Sequence, residues 1–185
     1  MVYLTYHDAD IDEEAVTFYD DGRWLNDKCI DLYLEYLEHT IVPQERFKAD
    51  IFFLRASMTF FLSNIDKSNI SIYSPPELKS ASIIFLVVNN NSDVSRAGGG
   101  THWSLLVYVR ELKLFFQYDS YKSMNELKAK YVAETIFGLD KVDIIETNAP
   151  QQMNDHECGV FVLSFAESIF KKNKHQFDTQ NDKKK

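Results

Sequence analysis

Apolar positions recur with two different spacings along this chain, and the change between them divides it. Leu25, Cys29, Leu32, Tyr33 and Tyr36 fall three and four residues apart, while Asp27, Asp31, Glu35 and Glu38 fall between them. That period predicts an amphipathic helix from about Leu25 to His39, with Cys29 on its core face. The apolar stretch "ADIFFLRASMTFFLSN" predicts a second helix, and "YSPPEL" breaks the chain after it. The pattern then changes. "SIIFLVV" (82–88) is a continuous β-branched and apolar run suited to a buried strand. "THWSLLVYV" (101–109) and "LFFQYD" (114–119) predict two strands of a hairpin turning at Arg110-Glu111-Leu112-Lys113. Between them and the first strand lies "NNNSDVSRAGGG", a loop expected to be mobile.

The helical period returns in "MNELKAKYVAETIFGL", with Leu127, Tyr131, Val132 and Ile136 expected inward and Gly138 near the C-terminus. "KVDIIET" (141–147) predicts another strand. A last helix, 158–172, carries Val160, Phe161, Val162, Leu163, Phe165 and Ala166 in its first turns. Apolar on nearly every side, it is expected to be buried on most of them. Helices, then strands, then a central buried helix indicate an α+β fold.

With 185 residues, one domain is expected over 1–172. The stretch 173–185 is polar and Lys-rich and reads as a disordered tail. The chain has 14 Phe and 10 Tyr and little Gly or Pro, enough aromatic bulk to build a core without disulfides or metal. No apolar run approaches a membrane span, and "MVYLTYHDADIDEE" is too acidic for a signal peptide. Two cysteines far apart make no disulfide framework, which points to a reducing compartment, cytoplasm or nucleus.

Charge narrows the partners. Residues 1–40 hold eleven Asp and Glu against two Lys and Arg, within a chain of net charge −8. Such a body disfavours nucleic acid and suits a basic protein surface.

The chemistry gathers around four residues. A two-residue turn at Arg110-Glu111 sets His102 directly opposite Asp119, and moving the turn one residue along makes them diagonal neighbours on the same face. Only a three-residue turn separates their faces. A carboxylate so placed fixes a histidine's tautomer and stabilises its imidazolium, although such pairs also occur as ordinary surface pairs. Cys158 opens the last helix, where unpaired N–H groups and the helix dipole favour a thiolate; a small buried core residue is the alternative. Gly159 leaves space beside the sulfur. An amide of Gln151-Gln152 is placed to meet an oxyanion, whereas His156 is expected to turn away or into solvent. Cys29 reads as core. There is no CxxC, HExxH or Walker-type loop, so neither metal nor other cofactor is implied.

"WLND" (24–27), "GGTHWSLLVY" (99–108), "FFQYDS" (115–120) and "APQQMNDHECGVFV" (149–162) together, occurring in the family's order, resemble the ubiquitin-like-protein proteases, also called sentrin/SUMO-specific proteases, and most nearly their deneddylase branch. The likeness covers about residues 3–170. It implies a papain-like fold with a mixed sheet packed on a central buried helix, and a triad falling on His102, Asp119 and Cys158. It places the oxyanion glutamine at Gln152 rather than Gln151. It also implies that Trp24 and Trp103 flank a channel for a Gly-Gly tail, with Asp27 meeting a basic residue near that tail, and that the loop 89–100 closes over substrate. Glu157 stands where the family usually has Asp. The implied activity is cleavage after the C-terminal Gly-Gly of a ubiquitin-like modifier, the Nedd/Rub type ahead of SUMO and ubiquitin, by a monomer. An acyltransferase with the same triad and an inactive modifier-binding module are the rivals.

Overall fold

The computed structural model describes residues 1–44, 50–95 and 98–181, the stretch 172–181 as helix backbone only. A hairpin of β1 (Val2–Tyr6) and β2 (Ala9–Asp12) opens the chain, turning through His7 at φ +50°. Asp12 then caps α1 (Glu13–Val16) by accepting the Ala15 N–H. α2 (Asp27–Tyr36) starts at Asn26, whose side chain accepts the Cys29 N–H, and runs through a π-turn, Leu37–Ile41, into α3 (Val42–Gln44).

After β3 (Ile51–Leu54) come α4 (Ala56–Asn64), α5 (Lys67–Tyr73) and α6 (Glu77–Ser80). β4 (Ile83–Asn89), β5 (Trp103–Val109) and β6 (Leu114–Tyr118) follow. α7 (Glu126–Phe137), β7 (Ile144–Glu146) and α8 (Cys158–Asn181) complete the order.

Five strands form one mixed sheet in the order β3-β4-β5-β6-β7, with the outer pairs parallel and the inner pairs antiparallel. β4 is buried along its whole length, and its side chains alternate between two cores as a strand's period of two requires. Ile83, Phe85 and Val87 join Cys29, Ile30, Leu34, Val162 and Ala166 on the face covered by α2 and α8. Ile84, Leu86 and Val88 join Leu62, Ala129, Val132 and Ile136 on the face covered by α4 and α7. The fold is α+β, with α8 lying across β5. Among the described residues no helix is long and apolar enough to cross a membrane.

Four sequence expectations change. The stretch predicted as one helix at 49–64 is a strand and a helix, and Ala49 lies outside the described residues. Arg55 breaks it in extended ψ of 150°, and the α4 amides of Ala56 and Ser57 are capped by the Asp31 carboxylate at 2.6 and 3.3 Å. That cap comes from α2, so no local pattern announces it.

The buried face of α2 runs through Cys29, Ile30, Leu34 and Leu37, leaving Tyr36 exposed. Glu35 enters this core because Arg55 holds it at 2.6 Å. α7 presents Ala129, Val132, Ala133 and Ile136 to the sheet, while Leu127 and Tyr131 are exposed. Two alanines one turn apart let the helix lie close, which the larger residues would prevent. Gly138, at φ +65°, ends α7 as a left-handed cap.

α8, finally, is buried on most sides as expected, but Val160 of its first turn is exposed. Val160, Ser164, Ser168 and Lys171 form an exposed stripe. Its backbone continues to Asn181, into the segment 173–185; residues 182–185 lie outside the described residues.

Candidate active site

β5 begins at Trp103 and β6 ends at Tyr118, and because the two are antiparallel, His102 and Asp119 flank the same end of the sheet. Leu105 pairs with Tyr118 and Val109 with Leu114, leaving Arg110–Lys113 as a four-residue turn with Lys113 at φ +54°. His102 and Asp119 are therefore diagonal neighbours, the second of the two same-face registers, rather than directly opposite. Their side chains meet: His102 Nε2 lies 2.5 Å from Asp119 Oδ1, and both residues are almost wholly buried.

Backbone amides hold the carboxylate in place. Tyr121 N–H donates to Oδ1 at 2.9 Å and Asn125 N–H to Oδ2 at 3.0 Å. Burial alone would depress the imidazole. Hydrogen bonds to Asp119 and then to Cys158, with the charges of both, outweigh it and raise the His102 pKa to about 9. The imidazole thus reaches Asp119 on one side and Cys158 on the other. With Nε2 occupied by Asp119, Nδ1 is the nitrogen left for the sulfur.

Cys158 is the first residue of α8 and is 1% exposed. Asn154 Oδ1 shapes the approach by accepting the N–H groups of His156 at 3.2 Å and Glu157 at 3.0 Å. The Glu157 carbonyl accepts Phe161 N–H at 3.0 Å, so the helix starts regularly with Glu in this position. The amides of Cys158, Gly159 and Val160 sit in the first turn, where a helix supplies them no carbonyl. A Cβ on Gly159 would lie 2.9 Å from Leu25 Cβ. Glycine is needed here for the loop bearing Trp24 to pack directly on the helix start, rather than to clear room at the sulfur.

The two glutamines differ in what they hold. Gln151 donates to the carbonyls of Asp119 and Ala149, both at 2.9 Å, and accepts Lys122 N–H at 2.9 Å, bracing the turn after β6. Gln152 is buried. Its Oε1 accepts the Ser120 hydroxyl at 2.6 Å, and its Nε2 donates to the Asn154 carbonyl at 2.6 Å, leaving one N–H for a further acceptor.

Trp24, Asp27, Trp103 and His102 line one cleft of about 640 Å³, together with Asn89 at the end of β4 and Asn91, Val94 and Gly98–Gly100 of the loop between β4 and β5. Trp103 is fixed by its indole N–H donating to the Leu25 carbonyl at 3.0 Å. Trp24 is about one-third exposed. Asn90 ties the base of the loop to His102, its Oδ1 accepting the N–H groups of Thr101 at 2.7 Å and His102 at 3.2 Å. Arg96 and Ala97 lie outside the described residues.

Cys29 is fully buried, its thiol donates to the Ala15 carbonyl at 3.3 Å, and burial pushes its pKa up. It is core. His156 pairs with Asp155 at 3.3 Å.

Sequence reasoning missed Asn125 and Ser120. Asn125, fully buried, donates through Nδ2 to Val88 O at 3.1 Å, Ser104 Oγ at 3.0 Å and His102 O at 3.5 Å, while its backbone holds Asp119. It binds the ends of β4 and β5 to the turn after β6. At the start of a predicted helix an asparagine reads as an N-cap, yet here the side chain makes no cap bond.

Residues 23–185 match the Ulp1 protease family, C-terminal catalytic domain. Human sentrin-specific protease 8 is 34% identical over 176 residues, covering 91% of this chain and 81% of its own length. The NEDD8-specific protease 1 of Arabidopsis thaliana is 31% identical over 172 residues, covering 90% of this chain and 74% of its own. Among solved structures, the C-terminal Ulp1 protease domain in complex with Smt3, the yeast ortholog of SUMO, superposes with a TM-score of 0.70 at 17% identity, over 90% of this chain and 75% of that one. The Xanthomonas campestris effector XopD bound to ubiquitin gives 0.59 at 24% identity, over 78% and 72%. At these identities the structural likeness concerns the fold.

Proposed function

Because the chain belongs to the Ulp1 protease family, we propose that it is a cysteine isopeptidase cutting after the C-terminal Gly-Gly of a ubiquitin-like modifier, with the NEDD8 type as its substrate. The observation that carries this reading is the buried His102–Asp119 pair with Cys158 in reach of the imidazole. In this mechanism His102 Nδ1 takes the thiol proton, and the Cys158 sulfur attacks the carbonyl carbon of the terminal glycine. The oxyanion is met by the remaining N–H of Gln152 and the Cys158 backbone N–H. His102 then returns its proton to the lysine amine as the C–N bond breaks. A water, deprotonated by the same imidazole, releases the acyl group and regenerates the thiol. Asp119 keeps the ring oriented throughout.

The cleft supplies the selectivity. Trp24 and Trp103 line the approach to His102, and a tail lacking side chains passes where a Cβ would not. Asp27, at its rim, suits a basic residue preceding the glycines. The choice of NEDD8 rests on relatives that carry that modifier in their names, at 30–31% identity. SUMO and ubiquitin follow, since the superposed structures hold those modifiers.

Hydrolysis of the three modifiers, each carrying a fluorogenic amide on its C-terminal glycine, tests the choice. The expected kcat/KM for the NEDD8 type exceeds each of the others by about tenfold or more, the scale that a few side-chain contacts provide. Equal rates, or a SUMO or ubiquitin preference, would overturn the modifier assignment while leaving the chemistry in place.

A further inference from the structure

Asp119 Oδ1 accepts two hydrogen bonds: His102 Nε2 at 2.5 Å and the Tyr121 backbone N–H at 2.9 Å. The same Tyr121 sets its ring edge-on to the His102 ring, with centroids 6.2 Å apart and planes at 69°. Tyr121 is 54% exposed, whereas His102 and Asp119 are 2% and 3% exposed. His102 lines the tryptophan cleft and Tyr121 does not. The ring thus meets the imidazole apart from the residues that line the substrate cleft, with about half of the residue's surface left to water.

We infer that Tyr121 is a positioning residue whose ring keeps water from the His102–Asp119 hydrogen bond. The inference rests on the reading of His102 as the catalytic base. A charge-assisted bond gains strength in a low-dielectric surrounding and loses it when water competes for the same donor and acceptor. Tyr121 is the aromatic ring in edge contact with the imidazole, anchored by its own amide to the oxygen that the imidazole uses. Being half-exposed, it carries little of the core, so its removal is expected to alter hydration of the pair more than stability of the fold.

The test combines proton NMR with steady-state kinetics on Tyr121→Ala and Tyr121→Phe. The His102 Nε2 proton should give a downfield resonance protected from solvent exchange in the wild type and in Tyr121→Phe. In Tyr121→Ala the resonance should broaden or vanish, and kcat should fall about fivefold to tenfold with KM within about twofold, a modest fraction of what acid–base catalysis provides. Rescue by phenylalanine shows that ring cover, not the hydroxyl, is responsible. Should alanine lower the thermal midpoint, Tyr121→Gln keeps the bulk, admits water, and is expected to lose the same resonance. A protected proton with unchanged kcat in both polar and small variants overturns the inference. So does a rise in KM alone, which would make Tyr121 a substrate contact. The proton is read without turnover, so an active His102→Ala variant would reject the catalytic reading separately.

Discussion

Replacing Cys158 by alanine removes cleavage at a modifier's Gly-Gly terminus, with kcat falling by at least about 10⁴-fold, while modifier binding persists. Loss of the nucleophile removes the covalent route altogether, and no second thiol is placed to replace it. Cys29, the other cysteine, is sealed in the core with its thiol on the Ala15 carbonyl. The substituted side chain is smaller than the original, and Cys158 is 1% exposed, so a modest stability loss of about 1 kcal/mol accompanies the change. The cleft lined by Trp24, Trp103 and Asp27, proposed to take the tail, is unchanged, so Kd measured by calorimetry should stay within a few-fold of the wild type. Single-turnover rates near the wild-type value would remove Cys158 from the mechanism.

Asp119→Asn is the second large effect. The expected loss is about 10²–10⁴-fold in kcat with KM changed far less, because the amide holds the imidazole in the wrong tautomer and cannot stabilise its cation. The same change acts on proton affinity. Burial would push the His102 imidazole down, and bonding to Asp119 is the first of the influences that lift it to about 9. Without the carboxylate the His102 pKa therefore falls.

A stability signature accompanies this shift. In the wild type, the folded state binds the His102 proton more tightly than the unfolded chain, whose imidazole sits near 6.5. Stability from this group is fully present below pH 6.5 and is lost as pH rises through about 9. Denaturation midpoints compared at pH 6 and pH 9 should converge in Asp119→Asn relative to the wild type. An unchanged kcat, or an unchanged His102 titration by NMR, would remove Asp119 from its role.

The parts of the fold legible in sequence are those whose signal is local. The β4 run and the β5–β6 hairpin are strands by composition, and their face relationship follows from turn length alone. The register within that hairpin needed the turn itself, since one residue of shift separates a directly opposed pair from the diagonal one found. The 49–64 stretch misleads because Asp31, on another element, caps α4 and permits a break at Arg55. The α7 stripe misleads because Leu127 and Tyr131 offer more apolar surface to bury than alanine does. Close approach of that helix to the sheet instead favours Ala129 and Ala133 and leaves Leu127 in solvent.

The site shows the same division. His102, Asp119, Cys158 and Gln152 stand out through residue type and motif order, while Asn125 and Tyr121 act through bonds that exist only once β4, β5 and the turn after β6 are brought together. Gln151 and Gln152 are adjacent and chemically identical. Their partners separate them: one braces the Asp119 turn, and the other keeps an amide hydrogen for the site.

The most direct measurement is covalent trapping. The protein is incubated with the NEDD8-type modifier, SUMO or ubiquitin, each bearing a thiol-reactive group in place of its C-terminal carboxylate, and the adduct is mapped by mass spectrometry. The account predicts one adduct per chain on Cys158, formed fastest with the NEDD8 type, retained in Cys29→Ala and absent in Cys158→Ala. A folded protein that forms no adduct with any of the three, or that carries the label on Cys29, would contradict it.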